Sequence, residues 1–263
     1  MAANPYMNTR GRRLGHALAA AALLGVLCAT ALLAGADADP ANAAKAKVLG
    51  KTKSTPRSYC PKPSAYCESI GSVTGFQTRA DGRKQPFVVR QPGHIVAWSL
   101  DLTAKPNKVE RRFFGKLYGD DAPSARLSIL TKRKGKEYRL KHQSPVMQLA
   151  QHYGEKPIFT LGGPLRVAKG DVIAITQPSW TSAFSVCDAR PRGTPPRCPS
   201  LSREDNAWRA SRSGDRCKIG TRTKTQRQNL RKSRPHDKQG TTRPYACVYE
   251  SARMLYWAYL RRS

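Results

Sequence analysis

The chain has 263 residues and carries 47 Lys and Arg against 17 Asp and Glu, a formal net charge of +30. Its length accommodates one sizeable core once a targeting segment is removed, and calls for no second domain. So strong a cationic excess directs the protein toward phosphate-bearing or carboxylated polymers, and it is silent about the fold.

At the N-terminus, Arg10, Arg12 and Arg13 precede a mostly apolar run over 14–36. Ala-x-Ala triplets then end at Ala38 and at Ala43. A basic start, an apolar run and small residues at the break are the layout of a secretory signal peptide, placed here at 1–43. An uncleaved anchor is the competing reading, because the run approaches the ~20 residues that span a bilayer. After cleavage no membrane span is expected. Residues 44–65 are rich in Ala, Lys, Thr and Pro without periodic apolar positions, and read as a flexible leader to a single domain over 66–263.

With Cys28 lost in the leader, six cysteines remain: Cys60, Cys67, Cys187, Cys198, Cys217 and Cys247. An even count in an exported chain reads as three disulfides. No Cys-x-x-Cys occurs and no histidine pair stands at ligand spacing beside these thiols, so no metal is expected, and no cofactor. Of the 15 possible connectivities, short-range closure favours Cys60 with Cys67, Cys187 with Cys198 and Cys217 with Cys247.

From Ser69 onward short apolar runs alternate with Gly, Pro, Asn and Asp. In HIVAWSLDLT (94–103), Val96, Trp98, Leu100 and Leu102 fall on one face and Ala97, Ser99, Asp101 and Thr103 on the other, the period-2 pattern of a strand with one face in the core. Trp98 is then a core anchor. KVERRFFGKLY (108–118) is compatible with a short helix or with a loop holding Phe113 and Phe114 at the sandwich edge. RLSILTK and KEYRLKH predict a hairpin through Arg133-Lys134-Gly135-Lys136. PVMQLAQ and PIFTLGG read as further strands. In VAKGDVIAIT (167–176), Lys169-Gly170-Asp171 has the composition of a tight turn, which makes Asp171 a backbone hydrogen-bonding residue in preference to a catalytic carboxylate. NAWRASRS and the aromatic C-terminal stretch read as strands, with Tyr245, Cys247 and Tyr249 on one face and Met254, Tyr256, Ala258 and Leu260 on another, a helix from Glu250 to Leu260 being the alternative. Helix is otherwise almost absent from this reading.

Between those last elements, 216–243 carries ten Lys or Arg and one acidic residue, Asp237. It reads as a long basic surface loop, and Arg231, Lys232 and Arg234 are its candidate contacts to a polyanion. Aromatic residues do not interleave with its charges, which argues against specific nucleic-acid binding.

Enzyme chemistry has few candidates. No His-Glu-x-x-His, Gly-x-Ser-x-Gly or phosphate-cradling loop occurs. His142 and His152 are scattered candidates for a general base. Asp120-Asp121 is a candidate calcium pair, though adjacent acids before Ala-Pro favour a turn. Glu110, Glu137, Glu155 and Glu250 stand in no motif that pairs two carboxylates across a glycosidic bond. Trp180, in QPSWTSAF, is the candidate ring for stacking on a sugar, against the plainer role of a loop anchor on the core.

The order GHIVAWSLDL, RLSIL, GKEYRLKHQSP, LRVAKGDVIAITQPSW, WRASR and ACVYESARMLYW resembles a group of exported, uncharacterised proteins of high-GC Gram-positive bacteria, over roughly 66–259. The resemblance implies a jelly-roll-like sandwich similar in outline to carbohydrate-binding modules, and it brings no activity and no functional residue. The expectation is an all-β, jelly-roll-like antiparallel β-sandwich stapled by disulfides, secreted or held at the cell envelope. It would act as a monomer that binds an anionic envelope polymer or glycan without catalysis. An envelope hydrolase with an unrecognised carboxylate or histidine site is one alternative, and a purely structural envelope protein is the other.

Overall fold

Every residue from Val172 to Gln177 is buried, so the strand they form lies between two layers and has no solvent face. A computed structural model describes residues 46–52, 70–103, 105–119, 122–181, 184–186, 205–220, 223–250 and 252–263. In chain order the strands are β1 (Lys47–Leu49), β2 (Ile70–Ala80), β3 (Arg83–Lys84), β4 (Gly93–Leu100), β5 (Ser124–Lys132), β6 (Glu137–Gln143), β7 (Met147–Gln148) and β8 (Ile158–Val167). They continue as β9 (Val172–Thr181), β10 (Phe184–Val186), β11 (Ala207–Ala210), β12 (Thr242–Pro244), β13 (Cys247–Glu250), β14 (Ala252–Met254) and β15 (Tyr256–Arg262). Two helices interrupt them, α1 (Lys108–Tyr118) and α2 (Lys224–Arg231).

The strands pair antiparallel into two main sheets, a small one in the order β1-β15-β4-β8 and a large one in the order β12-β6-β5-β9-β2-β11-β13. β3 and β7 lie beside β2 and β5, and β10 pairs with β14. The architecture is the expected jelly-roll-like antiparallel β-sandwich. Its core takes Ile95, Trp98, Leu100, Phe159, Tyr256, Ala258 and Leu260 from the small sheet and Val73, Leu127, Ile129, Ile173, Ile175 and Trp208 from the large one. Phe87 stacks on Tyr256 with ring centroids 4.0 Å apart.

A second apolar layer lies on the opposite face of the large sheet. Phe76, Leu130, Tyr138, Leu140, Val172 and Ala174 pack there against Tyr245. The segment 211–246 supplies that cover, which explains why β9 lacks the polar alternation of a sheet with one wet face. β4 likewise departs from the expected pattern. Ala97 and Ser99, assigned to its solvent face, are fully buried.

Three other expectations change, and one open alternative is settled. Residues 47–49, read as part of an irregular leader, form β1 and pair with β15, Val48 opposite Tyr259. The 108–118 segment, which its sequence leaves open between helix and loop, is the helix, and its N-terminus carries a capping box in which Asn107 and Glu110 exchange side-chain to backbone bonds of 2.9 and 2.7 Å. PVMQLAQ contributes only the two residues of β7 before a 3-10 turn over Ala150–His152. The basic stretch 216–243 is no plain loop, since it contains α2 and most of β12.

Cys217 and Cys247 form the expected disulfide, with Cα atoms 5.0 Å apart and a sequence separation of 30. Cys60, Cys67, Cys187 and Cys198 lie outside the described residues, as do 1–43 and the Asp120-Asp121 pair. Among the described residues no helix is long and apolar enough to cross a membrane.

Candidate anion-binding face

The segment that covers the large sheet is fastened to it by polar bonds at one end and aromatic packing at the other. Thr74, Ser128 and Thr176 project from β2, β5 and β9 into a buried hydroxyl network, with Thr176 Oγ1 2.7 Å from both Thr74 Oγ1 and Ser128 Oγ. The backbone N–H of His236 donates to Thr74 Oγ1 at 2.9 Å, and Gln143 Nε2 donates to the His236 carbonyl at 3.1 Å. These bonds satisfy groups that burial would otherwise leave costly. Burial holds the His236 imidazole down at about 4, against a weaker upward pull from its bond to Thr241. Burial likewise raises the Tyr245 phenol well above its usual range.

Arginines secure the remaining backbone. Arg243 Nη1 donates to the carbonyls of Pro235 and Arg234 at 2.7 and 3.2 Å. Arg209 Nη1 reaches Tyr245 O at 2.9 Å, and Arg139 Nε reaches Gly240 O at 3.1 Å. Arg212 is buried, donates from Nε to Ser233 Oγ at 2.9 Å and from Nη1 to the Tyr249 hydroxyl at 3.2 Å. Much of the cationic excess in this region therefore organises carbonyl oxygens, a use for which the planar guanidinium with its five donors is suited.

α2 rises from this base. Thr223 and Gln226 close a second capping box at its start. Leu230 turns inward and is buried, and Asn229 Nδ2 donates to Lys218 O at 2.9 Å. The 217–247 disulfide ties the chain on either side of the helix. Spacing along the helix puts Lys224, Arg227 and Arg231 on the outward face, and all three are exposed. No acidic residue occurs in the helix.

Two members of the predicted triplet, Arg231 and Lys232, are exposed at the C-terminal end of α2. Arg234 is also exposed, but its Nη1 donates to the carbonyls of Arg231 and Ser233, both at 2.7 Å. Ion pairs among the described residues join Lys141 to Asp171, His152 to Glu155, Arg216 to Asp215 and Arg253 to Asp81. None of these involves Arg231, Lys232 or the cations of α1.

α1 packs beside α2 and adds Lys108, Arg112 and Lys116, all exposed. Composition could not place this helix against the basic segment, because 108–118 and 224–231 are far apart in sequence. The start of each helix was nevertheless written in the chain, as Asn107-x-x-Glu110 and Thr223-x-x-Gln226.

Trp180 is not a sugar platform. It lies within β9, is fully buried, and packs against Phe114 of α1 with ring centroids 4.8 Å apart. A flat ring with no accessible face cannot stack on a ligand, so Trp180 serves as the seat of α1. Tyr118 completes that seat, since a Cβ added to Gly71 would meet the Tyr118 ring at 2.4 Å. Glycine at 71 is what lets the ring lie on the backbone of β2.

The hydrolytic candidates do not assemble. The Glu110 side chain is occupied in the helix cap. His152 Nδ1 lies 3.2 Å from Glu155 Oε2 in an exposed pair. Burial, followed by the nearby Lys141 ammonium, lowers the His142 pKa. Among the described residues no three His, Cys, Asp or Glu side chains are grouped to hold a metal ion. Asp171 is buried as a turn residue. Its Oδ2 accepts the Ala168 N–H at 2.8 Å and the Lys141 ammonium at 2.9 Å, and its Oδ1 accepts the Thr131 hydroxyl at 2.8 Å. Gly170, at φ +91°, supplies the left-handed position of that turn.

The chain is thus a disulfide-stapled antiparallel sandwich whose large sheet carries a cationic cap with two helices. No family model, no curated protein and no solved structure matches it.

Proposed function

We propose that the protein is exported and binds an anionic polymer of the cell envelope, without catalysis, through the outer face of α2 and the turn that follows it. The carrying observation is that Arg231 and Lys232 are exposed and make no ion pair among the described residues, on a helix that contains no acid. Lys224 extends the same face. The arginine-to-carbonyl bonds beneath hold this face in place, so little side-chain support has to be ordered when a ligand arrives. A polymer bearing phosphate or carboxylate groups at intervals fits a row of cations without requiring sequence readout. The signal-like leader and the disulfide support an oxidising, extracytoplasmic location.

The test compares two sets of substitutions in binding to polyphosphate over a range of salt. Arg231→Gln with Lys232→Gln removes the free cations while leaving the carbonyl contacts of Arg234 intact. The control is Arg166→Gln, Lys169→Gln and Arg262→Gln, three exposed cations on β8, the β8–β9 turn and β15. A dedicated face predicts the larger loss and the shallower salt dependence for the α2 pair, because fewer condensed counterions are released. A control loss equal to or larger than that of the α2 pair means diffuse attraction, which leaves only the structural role.

A further inference from the structure

α1 is apolar on two sides. One side turns Phe114 and Tyr118 toward Trp180. The other leaves Val109 73% and Phe113 48% exposed. These residues are one turn apart and so adjacent on the surface. Arg112 and Lys116 fall on the same outward side, with Lys108 at its start, and all three are exposed. Glu110 does not neutralise them from this face, because its carboxylate is turned back to accept the Asn107 N–H at 2.7 Å. α2 lies alongside and adds Lys224, Arg231 and Lys232.

Single exposed apolar residues are ordinary on protein surfaces. A phenylalanine and a valine at helical spacing, flanked by cations of their own helix and with a second cationic helix packed beside it, have a narrower use. We propose that the α1–α2 face seats on an anionic lipid surface, with Phe113 and Val109 entering between headgroups while Lys108, Arg112, Lys116 and the cations of α2 meet lipid phosphates. Aromatic and aliphatic side chains below a plane of Lys and Arg are the pattern of helices that lie in a membrane interface. A second copy of the chain does not suit this face, because pairing two such faces would bring the same cations together. A soluble polyanion satisfies the cations and leaves the apolar pair in water. This inference goes beyond the polymer reading and does not depend on it.

The test uses the mature protein with vesicles of phosphatidylcholine alone, vesicles also containing phosphatidylglycerol, and soluble polyphosphate, read by vesicle flotation and by polyphosphate titration. Binding is expected only to the anionic vesicles and to polyphosphate. Val109→Ser with Phe113→Ser should weaken vesicle binding about tenfold or more, since two apolar side chains no longer leave water, and should leave polyphosphate binding unchanged. Arg112→Gln with Lys116→Gln should weaken vesicle binding roughly fivefold for each charge removed. Melting curves matching the parent establish that these surface variants are folded. Anionic-vesicle binding undiminished in the Ser pair overturns the inference, because charge alone would then suffice. Absence of vesicle binding with polyphosphate binding intact also overturns it, and leaves the polymer reading standing. Vesicle binding without polyphosphate binding supports the lipid surface and removes the polymer reading.

Discussion

His236 Nδ1 lies 3.1 Å from the hydroxyl of Tyr245, beneath the segment that caps the large sheet. Its other ring nitrogen is 3.1 Å from the Thr241 carbonyl oxygen, which can only accept. Nε2 is therefore assigned the proton, and Nδ1 accepts from the tyrosine.

That pairing makes stability depend on pH in a defined direction. Burial is the main cause of a folded-state pKa of about 4, Arg243 pushes the same way and Asp237 opposes it. The unfolded value is about 6.5, so between these values the unfolded chain binds the extra proton. This contribution is fully present above about 6.5 and is lost as pH falls toward 4. Urea midpoints should drop more steeply across that window in the parent than in His236→Gln, which lacks the titrating ring. Parallel curves for the two proteins would refute the assignment.

Asp81 and Arg253 form a largely buried ion pair that also fastens the N-terminal strand. Arg253 Nη1 bonds the Asp81 carboxylate, Nη2 donates to Gly50 O at 3.1 Å, and the Thr52 hydroxyl donates to Asp81 at 2.6 Å. Asp81→Asn preserves the left-handed backbone found at this position, φ 46°, but strands the guanidinium, and should destabilise by about 3–5 kcal/mol. Adding Arg253→Met should restore a large part of that loss. A double-mutant cycle in denaturant that shows no coupling would mean the pair is not an energetic unit.

Closing a loop of 30-residue separation with one disulfide should stabilise the fold by roughly 3–4 kcal/mol through the unfolded state. Replacing both Cys217 and Cys247 with Ser should lower the unfolding free energy by about that amount. Polyphosphate affinity of the folded variant should fall as well if the staple fixes the base of α2. Stability equal to that of the parent would show that the bridge is not closed in the native protein.

Asp171→Asn tests a carboxylate that supports the fold and no chemistry. The amide can still accept the Ala168 N–H, but it loses the charge paired with Lys141. The expected change is a loss of about 1–3 kcal/mol in stability with polyphosphate binding within twofold of the parent. A fall of a hundredfold in binding, with the unfolding midpoint unchanged, would move Asp171 into the site.

The sandwich was legible because strand alternation and turn chemistry are local. Leu127 and Ile129 on one face of β5, Gly135 at the β5–β6 turn with φ +61°, and Gly170 before Asp171 each follow from a few adjacent residues. The two helices were equally local, in the form of capping boxes, and were overshadowed by the charge and aromatic content around them. Trp180 shows the opposite case. Its neighbours Pro178 and Thr181 suggest a loop, yet a partner 66 positions earlier in the chain, Phe114, places it in the core.

Sequence alone determined the excess of cations, the turn role of Asp171 and the antiparallel sandwich, since each rests on composition or on contacts between short, patterned segments; among 15 possible connectivities it only favoured the 217–247 pairing, which the structure closes. Tertiary structure decided which cations remain available. Arg212, Arg234 and Arg243 are bound to carbonyls or hydroxyls, whereas Arg231 and Lys232 are exposed without an ion pair among the described residues. It also decided that β9 has no wet face and that α1, with Val109 and Phe113 exposed, packs beside the cationic α2. Charge and hydrophobicity are properties of a residue, but availability depends on what the rest of the chain places next to it, and that is set by long-range packing.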